Sequence, residues 1–403
     1  MNNKENWLKN IIIFLTGQSI SLFGSSIVQY AIMWYVTLQT ESGMMMTIYI
    51  LCGFIPTFLL SPFAGVWADR YHRKWLIILS DSFIACATLI LALLFLNGNT
   101  SIYLLFGMAA IRAVGTGIQT PVVGAVLPQI VPKEKLTRVN GINGSIQAIM
   151  MFAAPLVSAT LLTVTSLEMI LFIDVITALL AVSTLLFFLK IPSHKKALEK
   201  QEITYLTDFK EGIAYIKSHD FLKNFFFYFA LIMFFTAPAS FLTPLQVTRS
   251  FGGEVWKLTA IEISFSIGMM IGGAVIASWE GFSNKIKTIV FSSYIMSVCT
   301  IGLGIRPLFW IYLLFMAIFG IAMPIFSTPS NVLLQEKVEE AYLGRVFGVM
   351  GMISTSMMPL GMLVFGPIAD ILAIEYLLIG SGLVLVFLTF LVSRNKSLLK
   401  AGK

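Results

Sequence analysis

Twelve stretches of this chain are long, apolar and almost free of charge, and nothing else in it restricts the possible folds so tightly. Eight of them, at about 11–37, 44–68, 141–164, 224–246, 288–305, 308–333, 346–369 and 376–393, hold no membrane-incompatible charge and are close to or above the roughly 20 residues that cross a bilayer. Four more, at about 75–96, 101–127, 169–189 and 258–279, each carry one ionisable residue in an otherwise apolar run: Asp81, Arg112, Asp174 and Glu262. Backbone polar groups in hydrocarbon must be satisfied within their own segment. The ten-residue alternation of a membrane barrel is missing, so each run is read as a helix. Composition agrees: 12% of the 403 residues are charged, against about 25% in an ordinary soluble domain. A mean hydropathy of +0.87 leaves little chain for a separate soluble domain. Lys4 and Lys9 precede the first run, but that run is too long for a signal peptide and has no small-x-small cleavage site. It is read as an uncleaved first span.

The basic residues orient the spans. With the N-terminus inside, 23 of the 27 Lys and Arg fall on the cytoplasmic side, including Arg70, Arg73 and Lys74, seven between Lys190 and Lys223, and the cluster from Arg394 to Lys403. The outer loops keep only Arg249, Lys257 and Arg306, and Arg112 lies inside the fourth span. Missing a single span would invert every later loop and destroy this bias. The expected protein is therefore multi-pass in the plasma membrane with both termini cytoplasmic, and the net charge of +7 is mostly topology. Cys52, Cys86 and Cys299 each sit within an apolar run, which suits packed thiols better than a disulfide framework or a zinc site.

The longest hydrophilic stretch divides the chain into a six-span bundle over 1–190, a cytoplasmic linker over 191–223 and a second six-span bundle over 224–403. A repeat relates the halves. Thr120-Pro121 and Leu136-Thr-Arg-Val-Asn-Gly-Ile-Asn-Gly144 return as Thr328-Pro329 and Leu343-Gly-Arg-Val-Phe-Gly-Val-Met-Gly351. Two six-helix repeats of the same orientation point to a transporter, with its binding site near the midplane at the interface between halves.

Between spans two and three the chain reads Gly65-Val-Trp-Ala-Asp69-Arg70-Tyr-His-Arg73-Lys74. Glycine lets helix ends approach, Asp69 can accept from a helix N-terminus or an arginine, and the basic residues anchor the loop at the inner surface. The motif resembles the signature of the major facilitator superfamily, with His72 where that family usually has glycine. Arg112 with Gly115 and Gly117 resembles its fourth-span arginine motif, and Ala154-Pro155 stands where antiporters carry Gly-Pro. Over nearly the whole chain the pattern is similar to the macrolide-efflux branch of drug:proton antiporters. The stretches that carry this likeness are Thr16-Gly17-Gln18-Ser19, Thr120-Pro121 through Val131-Pro132, Phe172-Ile-Asp174-Val175, and Glu262 with Gly268 and Gly272-Gly273.

The resemblance implies an all-α fold of twelve spans in two pseudo-symmetric bundles. It also sets span 2 beside span 11, and span 5 beside span 8. Arg345 is then within reach of Asp69, and Arg138 within reach of Glu280. These two pairs are the expected cytoplasmic latches of an outward-open state. The second-half counterpart of the signature loop, Glu280-Gly-Phe-Ser-Asn-Lys-Ile-Lys287, departs strongly from it.

A charge at the bilayer centre costs about 2.5–3.5 kcal/mol even on the lenient scale, so each intramembrane charge needs a partner or a task. Glu262 shares a stripe with Ser266, Met269 and Gly273, and the resemblance places its helix on the central cavity, so it is the first candidate for proton coupling. The alternative is a structural pair with a polar group of span 5 or 7. Arg112 has Gly115, Thr116 and Gln119 on its face and can tune a carboxylate or position substrate. Asp174 and Asp81 lie on spans that are peripheral in the family fold, where packed hydrogen-bonded roles are expected. Gln18, Ser21, Ser25 and Gln29 recur at intervals of three and four on span 1, suited to a cavity wall or to an interhelical hydrogen-bond seam.

The expected function is proton-antiport export of hydrophobic or drug-like compounds, with the small-molecule substrate, protons and membrane lipid as partners. No nucleic acid and no cofactor are implied, and a monomer is expected. Lipid or siderophore export and proton-symport uptake stay open. An intramembrane enzyme lacks clustered catalytic groups, since His72, His194 and His219 all fall in cytoplasmic segments. An ATP-driven pump would need a Gly-x-x-x-x-Gly-Lys-Ser/Thr loop, which this chain does not contain.

Overall fold

The computed structural model describes residues 3–132, 135–189, 205–306 and 308–402. The side chains of 3–6, 61–62, 65–66, 69–70, 137, 205–210 and 340–341 lie outside that description. Among the described residues there are helices and no strand. Twelve helical segments among the described residues are long and apolar enough to cross a membrane. The chain forms two compact units, Met1–Val36 with Ile48–Ile203, and Thr37–Thr47 with Thr204–Lys403.

Unit 1 is built from α1 (Asn3–Thr40), α2 (Gly43–Arg70), α3 (Arg73–Leu96), α4 (Ile102–Ile130), α5 (Leu136–Val164) and α6 (Leu167–Phe188). Helix α3 packs on both α4 and α6, and α5 on α6. Phe14, Ile77, Val126 and Leu185 bring α1, α3, α4 and α6 together at one end. Arg73 and Lys74 staple the same end from the start of α3. Arg73 donates to the Ala68 and Ala125 carbonyls at 2.9 and 2.7 Å, and Lys74 to the Leu186 and Leu189 carbonyls at 3.0 and 2.7 Å. Cations here satisfy carbonyls that helix ends leave unpaired. The family-like loop is thus tied into the bundle as well as to the membrane surface.

Unit 2 contains α7 (Tyr205–Ser218), α8 (Asp220–Phe241), α9 (Thr243–Phe251), α10 (Val255–Trp279), α11 (Lys285–Gly304), α12 (Phe309–Lys337), α13 (Glu340–Ile368), α14 (Ile374–Arg394) and α15 (Lys396–Ala401). Helix α12 packs on α10 and α11, α14 on α11 and α8, and α13 on α8. The α10–α12 contact depends on missing side chains. A methyl group on Gly268 or Gly272 would collide with the Ala317 or Ile321 carbonyl, and one on Gly320 with that of Phe265. With little hydrophobic drive between helices in lipid, such small-residue seams are how backbones come close.

Two features differ from the reading by apolar runs. The seventh span is a pair, α8 and α9, broken at Leu242 because Pro244 starts a new helix and has no amide to continue the old one. Within the hydrophilic stretch 191–223, Tyr205–Ser218 is helical and packs on α13. Residues 191–204 lie outside the described residues.

Candidate functional site

Four helices of unit 1 bring the fourth-span arginine and the sixth-span aspartate into one buried cluster. From α4, Arg112 Nη1 pairs with Asp174 Oδ2 on α6 and donates to Thr88 Oγ1 on α3 at 2.8 Å. Its Nη2 donates to the Ser25 carbonyl on α1 at 3.2 Å. Asp174 also accepts from Ser25 Oγ at 2.8 Å and from Thr88 Oγ1 at 3.0 Å. The two charged side chains are 12% and 1% exposed, so each cancels a charge the other could not carry alone at this depth. Sequence spacing marked the arginine and the aspartate; Thr88, one more threonine in an apolar run, gave no such signal.

About one turn away along α1, Ser21 Oγ and Gln119 Nε2 donate to Asp81 Oδ1 at 2.8 and 2.7 Å. Asp81 is 2% exposed. Its Oδ2 and the Gln18 amide nitrogen are buried without a hydrogen-bond partner among the described residues. Ser21 and Ser25 of the span-1 stripe thus belong to a hydrogen-bond seam. Gln29 is exposed, and its carbonyl accepts from the Tyr49 hydroxyl at 3.2 Å.

In unit 2, Glu262 lies in the first half of α10 and is half-buried. Its carboxylate has neither a hydrogen bond nor an ion pair among the described residues. Ser266, one turn on, is buried.

The expected gate residues are distributed as follows. The side chains of Gly65, Asp69 and Arg70 lie outside the described residues. Arg138 is exposed, on the rim of a cavity of about 620 Å³ between α1 and α5; Trp7, Ile11, Leu15, Ile142 and Ile146 form apolar walls, and Lys135 shares the rim. Glu280 ends α10 in the left-handed region (φ 62°) and is exposed. Arg345, in the second turn of α13, pairs with Glu211 of α7 at 3.0 Å and lies over the Tyr342 ring. Tyr215 of α7 stacks on Tyr342 with ring centroids 4.2 Å apart. Glu211 is a partner that the sequence reading missed, because it sits in a stretch read as linker.

Twelve apolar helices among the described residues, with one ion pair buried where four of them meet, are the architecture of a multi-pass membrane protein. The chain belongs to the major facilitator superfamily, which it matches over residues 11–362. It is 31% identical over 388 residues to macrolide efflux protein A of Streptococcus pyogenes, a match covering 96% of each chain. It is 23% identical to the staphyloferrin A transporter of Staphylococcus aureus over 96% of this chain and 97% of that one. Among solved structures it superposes on the nucleoside transporter NupG with a TM-score of 0.71 at 17% identity, covering 98% of this chain and all of that one. The protein is a transporter of small molecules and not an enzyme.

Proposed function

We propose that this protein exports hydrophobic, drug-like compounds, macrolides among them, from the cytoplasm in exchange for protons by alternating access. The observation that carries the reading is the near full-length likeness to a macrolide efflux protein. In this reading the protein lies in the plasma membrane with both termini inside, and the halves 1–190 and 224–403 rock about the substrate as a monomer. Glu262 takes up and releases the proton, supported by its place within a span and its lack of a partner among the described residues. Gln18, Gln29, Arg112 and Asp174 serve the substrate side. The cytoplasmic face closes through Asp69–Arg345 and Arg138–Glu280.

The test is efflux of a radiolabelled macrolide from loaded cells, with and without a proton uncoupler. Export that the uncoupler stops is the expected result, and export indifferent to it rejects the antiport. A second reading is export of a siderophore, favoured by the likeness of the staphyloferrin A transporter over nearly the whole chain. The same assay with labelled staphyloferrin A separates the two.

A further inference from the structure

The tip between α1 and α2 is held by a network the sequence did not foretell. Asp370, just after α13, accepts from the Gly43 and Met44 amides at 2.7 and 2.9 Å and from Ser42 Oγ at 2.7 Å. It thereby caps the N-terminus of α2 with a carboxylate, where free amides and the helix dipole favour one. Arg249, in the last turn of α9, donates to Asp370 Oδ1 at 2.8 Å, to the Ala369 carbonyl at 2.6 Å and to the Glu41 carbonyl at 3.0 Å. Thr47 adds a bond to the Met362 carbonyl at 3.2 Å. A methyl group on Gly43 would strike the Gly366 carbonyl, so within unit 2 the first turn of α2 meets the end of α13 backbone to backbone. Glu41 itself is in the left-handed region (φ 47°), a conformation that L side chains rarely adopt.

Thr37–Thr47 packs with unit 2, although the chain up to Val36 and from Ile48 onward belongs to unit 1. A rearrangement of the two bundles must either carry this tip along or break its bonds. We propose that Arg249 and Asp370 form a latch on the α1–α2 tip, at the end of the bundle that the charge bias assigns to the outside, and that the latch opens once in every transport cycle. This rests on the alternating-access reading. It also explains Arg249, one of the three basic residues left on the outer side of a chain that otherwise keeps them inside. A cation there goes against the topological bias, and the latch gives it a task.

Cysteines at Glu41 and Ala369, whose carbonyls Arg249 bridges, leave both latch side chains in place. A short thiosulfonate cross-linker should join them in high yield, stop macrolide export and release it on reduction, while chains with either cysteine alone stay unlinked. Asp370→Arg should cut the cross-link yield several-fold and Asp370→Asn less, because Asn still caps a helix without drawing Arg249. Arg249→Lys should keep part of the yield that Arg249→Gln loses. Should Asp370→Arg fail to give a monodisperse protein, the Asn and Lys variants make the same comparison. Full export by cross-linked protein, or a yield indifferent to these substitutions, overturns the latch. If the unlinked chain exports no macrolide, the substrate reading fails, and the dependence of yield on residues 249 and 370 still decides whether the latch exists.

Discussion

The bundle interiors of the two units treat charge in opposite ways. In unit 1, Arg112 and Asp174 neutralise each other, and Ser25 and Thr88 fill their remaining hydrogen-bond positions. In unit 2, Glu262 occupies a span with no partner among the described residues. A paired charge ties α1, α3, α4 and α6 together and resists change, because removing either member strands the other. A carboxylate without a cation can exchange a proton with whatever water or ligand reaches it, and nothing else need rearrange. The contrast separates charge that is neutralised inside its bundle from charge that has no counter-ion among the described residues.

Two substitutions probe it directly. Glu262→Gln keeps the size and polarity of the side chain but cannot ionise. Proton-driven export should fall to the level of uncoupled cells, while unfolding free energy changes by no more than about 0.5 kcal/mol. A variant that exports normally moves the coupling role to another carboxylate. Asp174→Asn should do the reverse, leaving the Arg112 charge buried and destabilising the protein by about 3–5 kcal/mol in detergent unfolding. Combining Arg112→Met with Asp174→Leu should recover most of that loss, since an apolar pair of similar volume is often as stable as a buried ion pair. If the double variant is as unstable as the single one, the cluster has a role beyond mutual neutralisation.

Most of the fold was legible in the sequence, because in lipid the length of an apolar run and the side of each Lys or Arg are themselves physical constraints. The break at Leu242 was harder to see, since a proline in the first turn of a helix does not interrupt hydrophobicity. The site was legible only in part. Arg112, Asp174 and Glu262 stand out because charge is rare in spans. Their partners do not: Ser25 and Thr88 look like any small residue facing a neighbour, and Asp370 lies in a short loop 121 residues from Arg249. Which polar groups meet is decided by helix rotation and crossing, which a hydropathy pattern does not encode.

The Arg249–Asp370 latch should also have a pH dependence of its own. Burial pushes the Asp370 carboxyl up, but Ser42, the Met44 and Gly43 amides and Arg249 outweigh it and hold the group below its ordinary value of 3.8. A carboxyl lowered in the folded state contributes stability above the ordinary value and loses it as pH falls through the lower one. Glu41 meets Arg249 through its backbone carbonyl. The stability that Asp370 contributes, read as the difference in melting temperature from Asp370→Asn, should therefore be flat from neutral pH down to about 5 and decline only below the ordinary carboxylate range. A decline near neutrality would make the latch itself a proton sensor.

The smallest effect is expected at Arg345 and Glu211, whose side chains are 32% and 48% exposed. Exposed pairs contribute about 0–1 kcal/mol and are screened by salt. Glu211→Gln should accordingly lower the melting temperature slightly at low ionic strength and not at all in high salt. Helix α7 would stay docked through the stacked rings of Tyr215 and Tyr342. A large loss, or proteolytic cleavage within Tyr205–Ser218, would mean that charge and not aromatic packing holds α7 on α13. The Arg345 guanidinium would then be held in place mainly by its pair with Glu211.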